Sequence, residues 1–233
     1  RPWQRTGANG RSDRVALPDA ATRHMLVMPS NNSGMEMGRL VGMYPRQLGH
    51  LLNPTRKTRT YDWLPFAVDN GRFAATTAGQ PWDAKQFLAY LDYVDSMGHA
   101  PLWVVVPDVV GDAKATLASW PEWSDKLRAY GWPLAMAVQD GMQPADVPAD
   151  ADVVFVGGST QWKWRTMATW CDNFARVHVG RVNTERWLWE CHEAGAESCD
   201  GTGWFRGRQA QLEGLISYLR RSQNNQGNPR GAK

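Results

Sequence analysis

Four short apolar runs in this chain each end on a polar side chain able to do chemistry: FAV before Asp69, VVVP before Asp108, AMAV before Gln139 and GAESC before Asp200. In a barrel of parallel strands, residues at strand C-terminal ends converge on one face, so these ends describe one pocket holding three carboxylates and an amide. Asp200 stands between a buried-looking strand and the Gly-rich turn GTGWFRG. A carboxylate there can attack an anomeric carbon as a base departs, forming a glycosyl ester that a second base displaces. Its plain alternative is a turn cap before Gly201. Asp69 supplies the complementary general acid or base where the environment separates the two pKa values, although the Asn70-Gly71 turn after it is also a purely structural signal.

Asp108 and Gln139 suit a different task. A carboxylate accepts from the N–H and amino edge of a guanine-like base, and an amide serves its carbonyl and ring nitrogen. The alternatives are an N-cap for Asp108 and a turn position for Gln139. Gly157 and Gly158, after VVFV, let backbone amides approach a flat ligand where a Cβ would obstruct, or simply end a strand. Phe73 is placed to cover one face of a planar base and Val179 the other, unless each is core packing.

The elements that position these residues alternate along the chain. Strands are expected at 24–29, 64–68, 102–106, 134–138, 153–156, 176–179 and 196–199. Helices are expected near 36–52, 83–97, 112–129, 160–174, 184–194 and 208–221, with Pro121 starting or kinking the second half of its helix. Function-bearing residues after many strands favour a TIM-type (β/α)8 barrel over an open sheet with one switch point. Seven strands are clear; the eighth is sought in RVALP at 14–18, failing which the closure is irregular. Residues 1–20 and 222–233 read as flexible ends, the latter basic, leaving one domain over 21–221.

Composition is that of an ordinary globular chain: 233 residues, 42% hydrophobic and 21% charged, which excludes wholesale disorder. The net charge of +3 is a weak argument for a polyanionic partner. Its distribution says more, with basic residues in the first segment, at Arg56, Lys57 and Arg59, and from Arg206 to the C-terminal end. These are phosphate contacts or solvated surface charge. Cys171, Cys191 and Cys199 lack CxxC spacing, and nothing reads as a signal peptide or membrane span, so a cytoplasmic setting is expected. Cys191, His192 and Cys199 make no recognisable zinc pattern. Most of the thirteen Trp should pack in the core, with one or two free to stack on bases.

Order and spacing together resemble the tRNA-guanine transglycosylase superfamily across roughly 60–207. The matching segments are Asp69-Asn70-Gly71-Arg72-Phe73, Pro107-Asp108, Val138-Gln139-Asp140-Gly141, Val156-Gly157-Gly158, Gly180-Arg181-Val182-Asn183-Thr184 and Cys199-Asp200-Gly201. The resemblance implies base exchange at a glycosidic bond. Asp200 is then the covalent nucleophile, Asp69 the acid/base, Asp108, Gln139, Gly157 and Gly158 the base readers, and Phe73 a stacking platform. The three-cysteine, one-histidine zinc region of the tRNA-acting members is missing, so no metal or other cofactor is expected and the likeness moves towards the compact bacteriophage enzymes that place 7-deazaguanines in DNA. That implies DNA and a free 7-deazaguanine as partners, a target nucleotide extruded from the duplex, and a monomer. Trp204, Phe205 and Arg206 are candidate braces for the gap, and Lys163 and Arg165 candidate phosphate contacts. The same chemistry on tRNA, and a non-catalytic nucleic-acid-binding homologue, are the rival readings.

Overall fold

A computed structural model describes residues 25–30, 34–58, 60–207 and 209–225. Eight parallel strands form one sheet: β1 (Leu26–Pro29), β2 (His50–Leu52), β3 (Phe66–Val68), β4 (Val104–Val105), β5 (Leu134–Val138), β6 (Val153–Val156), β7 (Val177–Val179) and β8 (Ser198–Gly201). Each strand pairs with its sequence neighbour, β1 pairs with β8, and parallel bridges Val27–Leu48 and Ser30–Leu51 close the ring between β1 and β2. This is a TIM-type (β/α)8 barrel.

Around it lie α1 (Met35–Met43), α2 (Arg72–Thr77), α3 (Ala84–Asp95), α4 (Ala113–Leu127), α5 (Thr160–Asn173), α6 (Glu185–Glu193) and α7 (Gln209–Asn225). The ring of helices is irregular. A loop without a helix joins β2 to β3, and only the 3₁₀ turn Pro144–Asp146 separates β5 from β6.

Strand alternation sorts the side chains. Met28, Leu51, Ala67, Trp103, Val105, Ala135, Ala137, Val153 and Phe155 fill the barrel interior, while Val27, Val68, Val104, Val138, Val156, Val179 and Cys199 join the core beneath the helices. Alanine at three inward positions leaves space for Trp103 inside the barrel.

The helix expected over 36–52 ends at Met43, and His50–Leu52 is the eighth strand. Pro45 explains the break: its ring disfavours helical backbone at the preceding residue, and Tyr44 sits at φ −133°, ψ 58°. RVALP at 14–18 lies outside the described residues, as does the flexible segment expected over 1–20. At the other end, α7 continues to Asn225. Ser222, expected in a tail, is buried and donates from Oγ to Gln47 Oε1 at 2.5 Å. Pro121 lies within α4 without ending it. No helix among the described residues is long and apolar enough to cross a membrane.

Candidate active site

At the C-terminal mouth of the barrel a cavity of about 460 Å³ is lined by Asp69, Asp108, Gln139 and Asp200, with Phe73, Gly157, Gly158, Asn70, Arg181 and Arg206. The volume is in the range of small-molecule sites. The four polar strand ends thus converge on one cavity.

Asp69 follows β3, and its Oδ2 accepts from Asn53 Nδ2 at 3.3 Å. Burial, then the charges of Asp200 and Asp108, push its carboxyl from the usual 3.8 up to about 7, against the pull of backbone N–H groups of Gly71 and Asn70. Such a group is half-protonated at neutral pH and can both give and take a proton. The turn after it is carried by other atoms: Gly71 holds φ 78° and Asn70 Oδ1 accepts from the Arg72 amide at 2.8 Å.

Asp108, which the Asn70 side chain reaches, is buried. Its Oδ1 accepts from Asn70 Nδ2 at 2.9 Å and its Oδ2 from Gln139 Nε2 at 2.7 Å. Burial raises its pKa, opposed by these donors and the Arg72 charge. Asp108 caps no helix, because Asp112 caps α4 by accepting from the Ala115 amide at 2.9 Å. Gln139 does hold a loop, since its Oε1 accepts from the Gly111 amide at 3.1 Å. Together they form a fixed row of a carboxylate and an amide along one wall.

Gly157 and Gly158 complete that wall. Gly158 holds φ 63°, and a Cβ there would lie 2.5 Å from Asp140 Oδ1 and 2.6 Å from the Trp162 ring. Asp140 is occupied in fixing the loop, its Oδ2 accepting from Ser159 Oγ at 2.6 Å.

Asp200 is the last-but-one residue of β8 and is buried apart from its pocket edge. Oδ1 accepts from the Arg181 backbone N–H at 3.1 Å and lies 3.2 Å from His178 Nε2. Oδ2 lies 3.5 Å from Ser30 Oγ. The carboxylate therefore ties down the loop after β7, rather than capping the turn at Gly201 as its structural alternative had it, and keeps a second oxygen at the cavity.

Phe73, on α2, is 45% exposed at the rim and carries the Arg181 guanidinium 4.8 Å from its ring centre. Arg181 is the one described non-glycine residue with positive φ, at 61°, and its Nη2 also donates to the Gly158 carbonyl. Arg181 and Asn183 lie in the matching segment Gly180–Thr184 but were given no role there. His178, Ser30 and Asn53 were missed; a histidine at an inward position of the VHV strand was the available signal.

Several expected site residues stand elsewhere. Val179 points out of the barrel into the core beneath the helices, one residue out of phase with the inward His178, so it covers no ligand face. Lys163 is buried on α5, donates to the Gly180 carbonyl and has its pKa pushed down to about 8 by burial and Arg181, so it buttresses the β7 loop instead of meeting phosphate. Trp204 is buried in the outer core and Phe205 packs against it, leaving Arg206 as the one residue of that trio at the cavity. Arg165 is exposed on α5 but does not line the cavity. Cys171, Cys191 and Cys199 are free thiols, and among the described residues no group of three or more His, Cys, Asp and Glu is placed to hold a metal ion.

No protein-family model matches the chain, and no curated protein matches it. Solved structures do. Tryptophan synthase α-subunit from Pyrococcus furiosus aligns over 88% of this chain and 99% of its own at 11% identity and TM-score 0.52. Phosphoribosyl anthranilate isomerase from Thermus thermophilus aligns over 86% and 100% at 13% identity and TM-score 0.52. For 3-hexulose-6-phosphate synthase from Salmonella typhimurium the figures are 84%, 97%, 11% and 0.52. At such identities the likeness establishes the barrel and carries no activity across.

Proposed function

We propose that this chain is a base-exchanging transglycosylase that replaces guanine in DNA by a free 7-deazaguanine. The observation that carries the reading is the meeting of Asp69 and Asp200 in one cavity whose adjoining wall is Asp108, Gln139, Gly157 and Gly158. Two carboxylates are what a double displacement at an anomeric carbon needs, and their environments differ.

In the first half-reaction Asp200 Oδ2 forms a bond to C1′ while the C1′–N9 bond breaks, and protonated Asp69 gives its proton to the departing base. In the second, Asp69, now ionised, takes the N9 proton of the incoming base as that nitrogen attacks C1′ and the ester bond returns its electron pair to Asp200. One N-glycosidic bond is exchanged for another, so the cycle closes without an external energy source. Asp108 accepts from the N–H and amino groups of the base, and Gln139 faces its polar edge. Phe73 supplies one stacking face, and the outer Arg206 meets backbone phosphate.

The test is incorporation of a labelled 7-deazaguanine into DNA, with tRNA in parallel. Preference for tRNA overturns the substrate, and equal incorporation by Asp200→Ala overturns the nucleophile.

A further inference from the structure

Behind Asp200, inside the barrel, is a polar chain in a place that TIM barrels fill with branched apolar side chains. His178 on β7 has no exposed surface. Its ring lies against Phe155 and Trp103, with both centroids 4.7 Å away, at 30° and 62°. Nδ1 is 2.8 Å from Ser198 Oγ and Nε2 is 3.2 Å from Asp200 Oδ1. Ser198 is itself buried. An imidazole, a hydroxyl and a carboxylate taken from water are costly to bury, so their complete mutual pairing has to be kept by something besides packing.

We infer that His178 is the positioning residue of Asp200, selecting which carboxylate oxygen attacks and holding the other as the carbonyl oxygen of the ester. An ionised carboxylate only accepts, so Nε2 carries the proton and donates to Oδ1, and Nδ1 accepts the Ser198 hydroxyl proton. The Arg181 backbone N–H is the second donor to Oδ1. With Oδ1 held by two donors and Oδ2 reached only by Ser30 Oγ at 3.5 Å, Oδ2 is the oxygen freer to attack C1′. Once the Oδ2–C1′ bond forms, Oδ1 is the ester carbonyl and keeps both donors. When the second base attacks C1′ and the Oδ2–C1′ bond breaks, the returning charge spreads onto an oxygen already hydrogen-bonded, which makes Asp200 a better leaving group.

This inference rests on Asp200 as nucleophile, and the experiment separates the two. Nitrogen-15 NMR of the imidazole reads the tautomer without any activity: a neutral Nε2–H form is expected, with its N–H signal moved in Asp200→Asn. An Nδ1–H form, or an imidazolium, overturns the proposal whatever the enzyme does. Steady-state exchange reads the consequence. His178→Leu should lower kcat on the order of 100-fold with KM within about threefold, and His178→Gln, whose amide N–H can reach Oδ1, should recover at least tenfold of that loss. Where His178→Leu does not fold, Ser198→Ala serves: freed of its tautomer lock, it should lose about tenfold in kcat. Folded variants with unchanged kcat overturn the inference. A wild type that shows the Nε2–H form but exchanges no base sinks the proposed function and leaves the hydrogen-bonded arrangement standing.

Discussion

At the residue scale the decisive group is Asp69. Its carboxyl titrates near 7 in the folded protein against an ordinary 3.8. Loss of guanine needs the acid form, so kcat/KM for DNA should fall as pH rises above about 7. Capture of the incoming base needs the ionised form, and with Asp200 neutral in the ester Asp69 loses one of the charges that raise its pKa, so kcat/KM for that base should fall only at a pH below that point. A pH series in each substrate checks both limbs. The raised pKa also means the native state holds a proton that the unfolded chain releases between those values, so stability drops as pH climbs from about 4 to about 7 and the penalty persists above. Asp69→Asn removes it: at pH 8 its melting temperature should exceed the wild type's by a few degrees, at pH 4 the two should coincide, and exchange should be lost. Gln139→Ala strips one donor from buried Asp108 and one acceptor from the Gly111 loop. Titration of free base should show affinity weakened on the order of tenfold, with the chemical step less affected.

At the element scale, the strand ends place the site and the loops tune it. The segments FAV, LAMAV, VVFV and VHV were legible because their lengths and flanking turns allow little else, and with them the positions of Asp69, Gln139, Gly157 and Gly158. Helices α3, α5 and α6 were legible for the same reason. The strand at His50–Leu52 was hidden: three apolar-facing residues carry no period of their own, and the helical pattern before them runs on unless Pro45 is weighed as a stop. Val179 failed for another reason. Facing in a strand has period two, so an assignment off by one residue turns the side chain to the other side, and only the ring contacts of His178 fix the phase. Trp204, Phe205 and Lys163 are amphipathic or large enough to be core or surface, and sequence does not decide between them. The loops after β6 and β7 lock together through Gly158 and Arg181. Gly158→Ala, forced to positive φ and into Asp140 and Trp162, should cost roughly 1–3 kcal/mol in denaturant unfolding and weaken base binding as well. Arg181→Gly relieves a left-handed residue but removes its hydrogen bond to the Gly158 carbonyl and the guanidinium from Phe73, so denaturant unfolding should show little net change in stability while titration shows base affinity weakened.

For the whole molecule, an eight-stranded barrel with helices missing between β2 and β3 and between β5 and β6 still brings its polar strand ends to one mouth. On the proposed function, the net charge of +3 is too small to drive DNA binding through the overall field, and that binding would fall to local arginines. Arg206→Ala should weaken DNA binding across sequences and reduce the salt slope by about one, as a phosphate contact does. In the proposed function Asp200 carries the DNA sugar between two bases. The most direct measurement is mass spectrometry of nucleosides from DNA incubated with the protein and free 7-deazaguanines. The wild type should yield a 7-deazaguanine deoxynucleoside and Asp200→Ala none. No modified nucleoside with the wild type, or the same yield from Asp200→Ala, would contradict it.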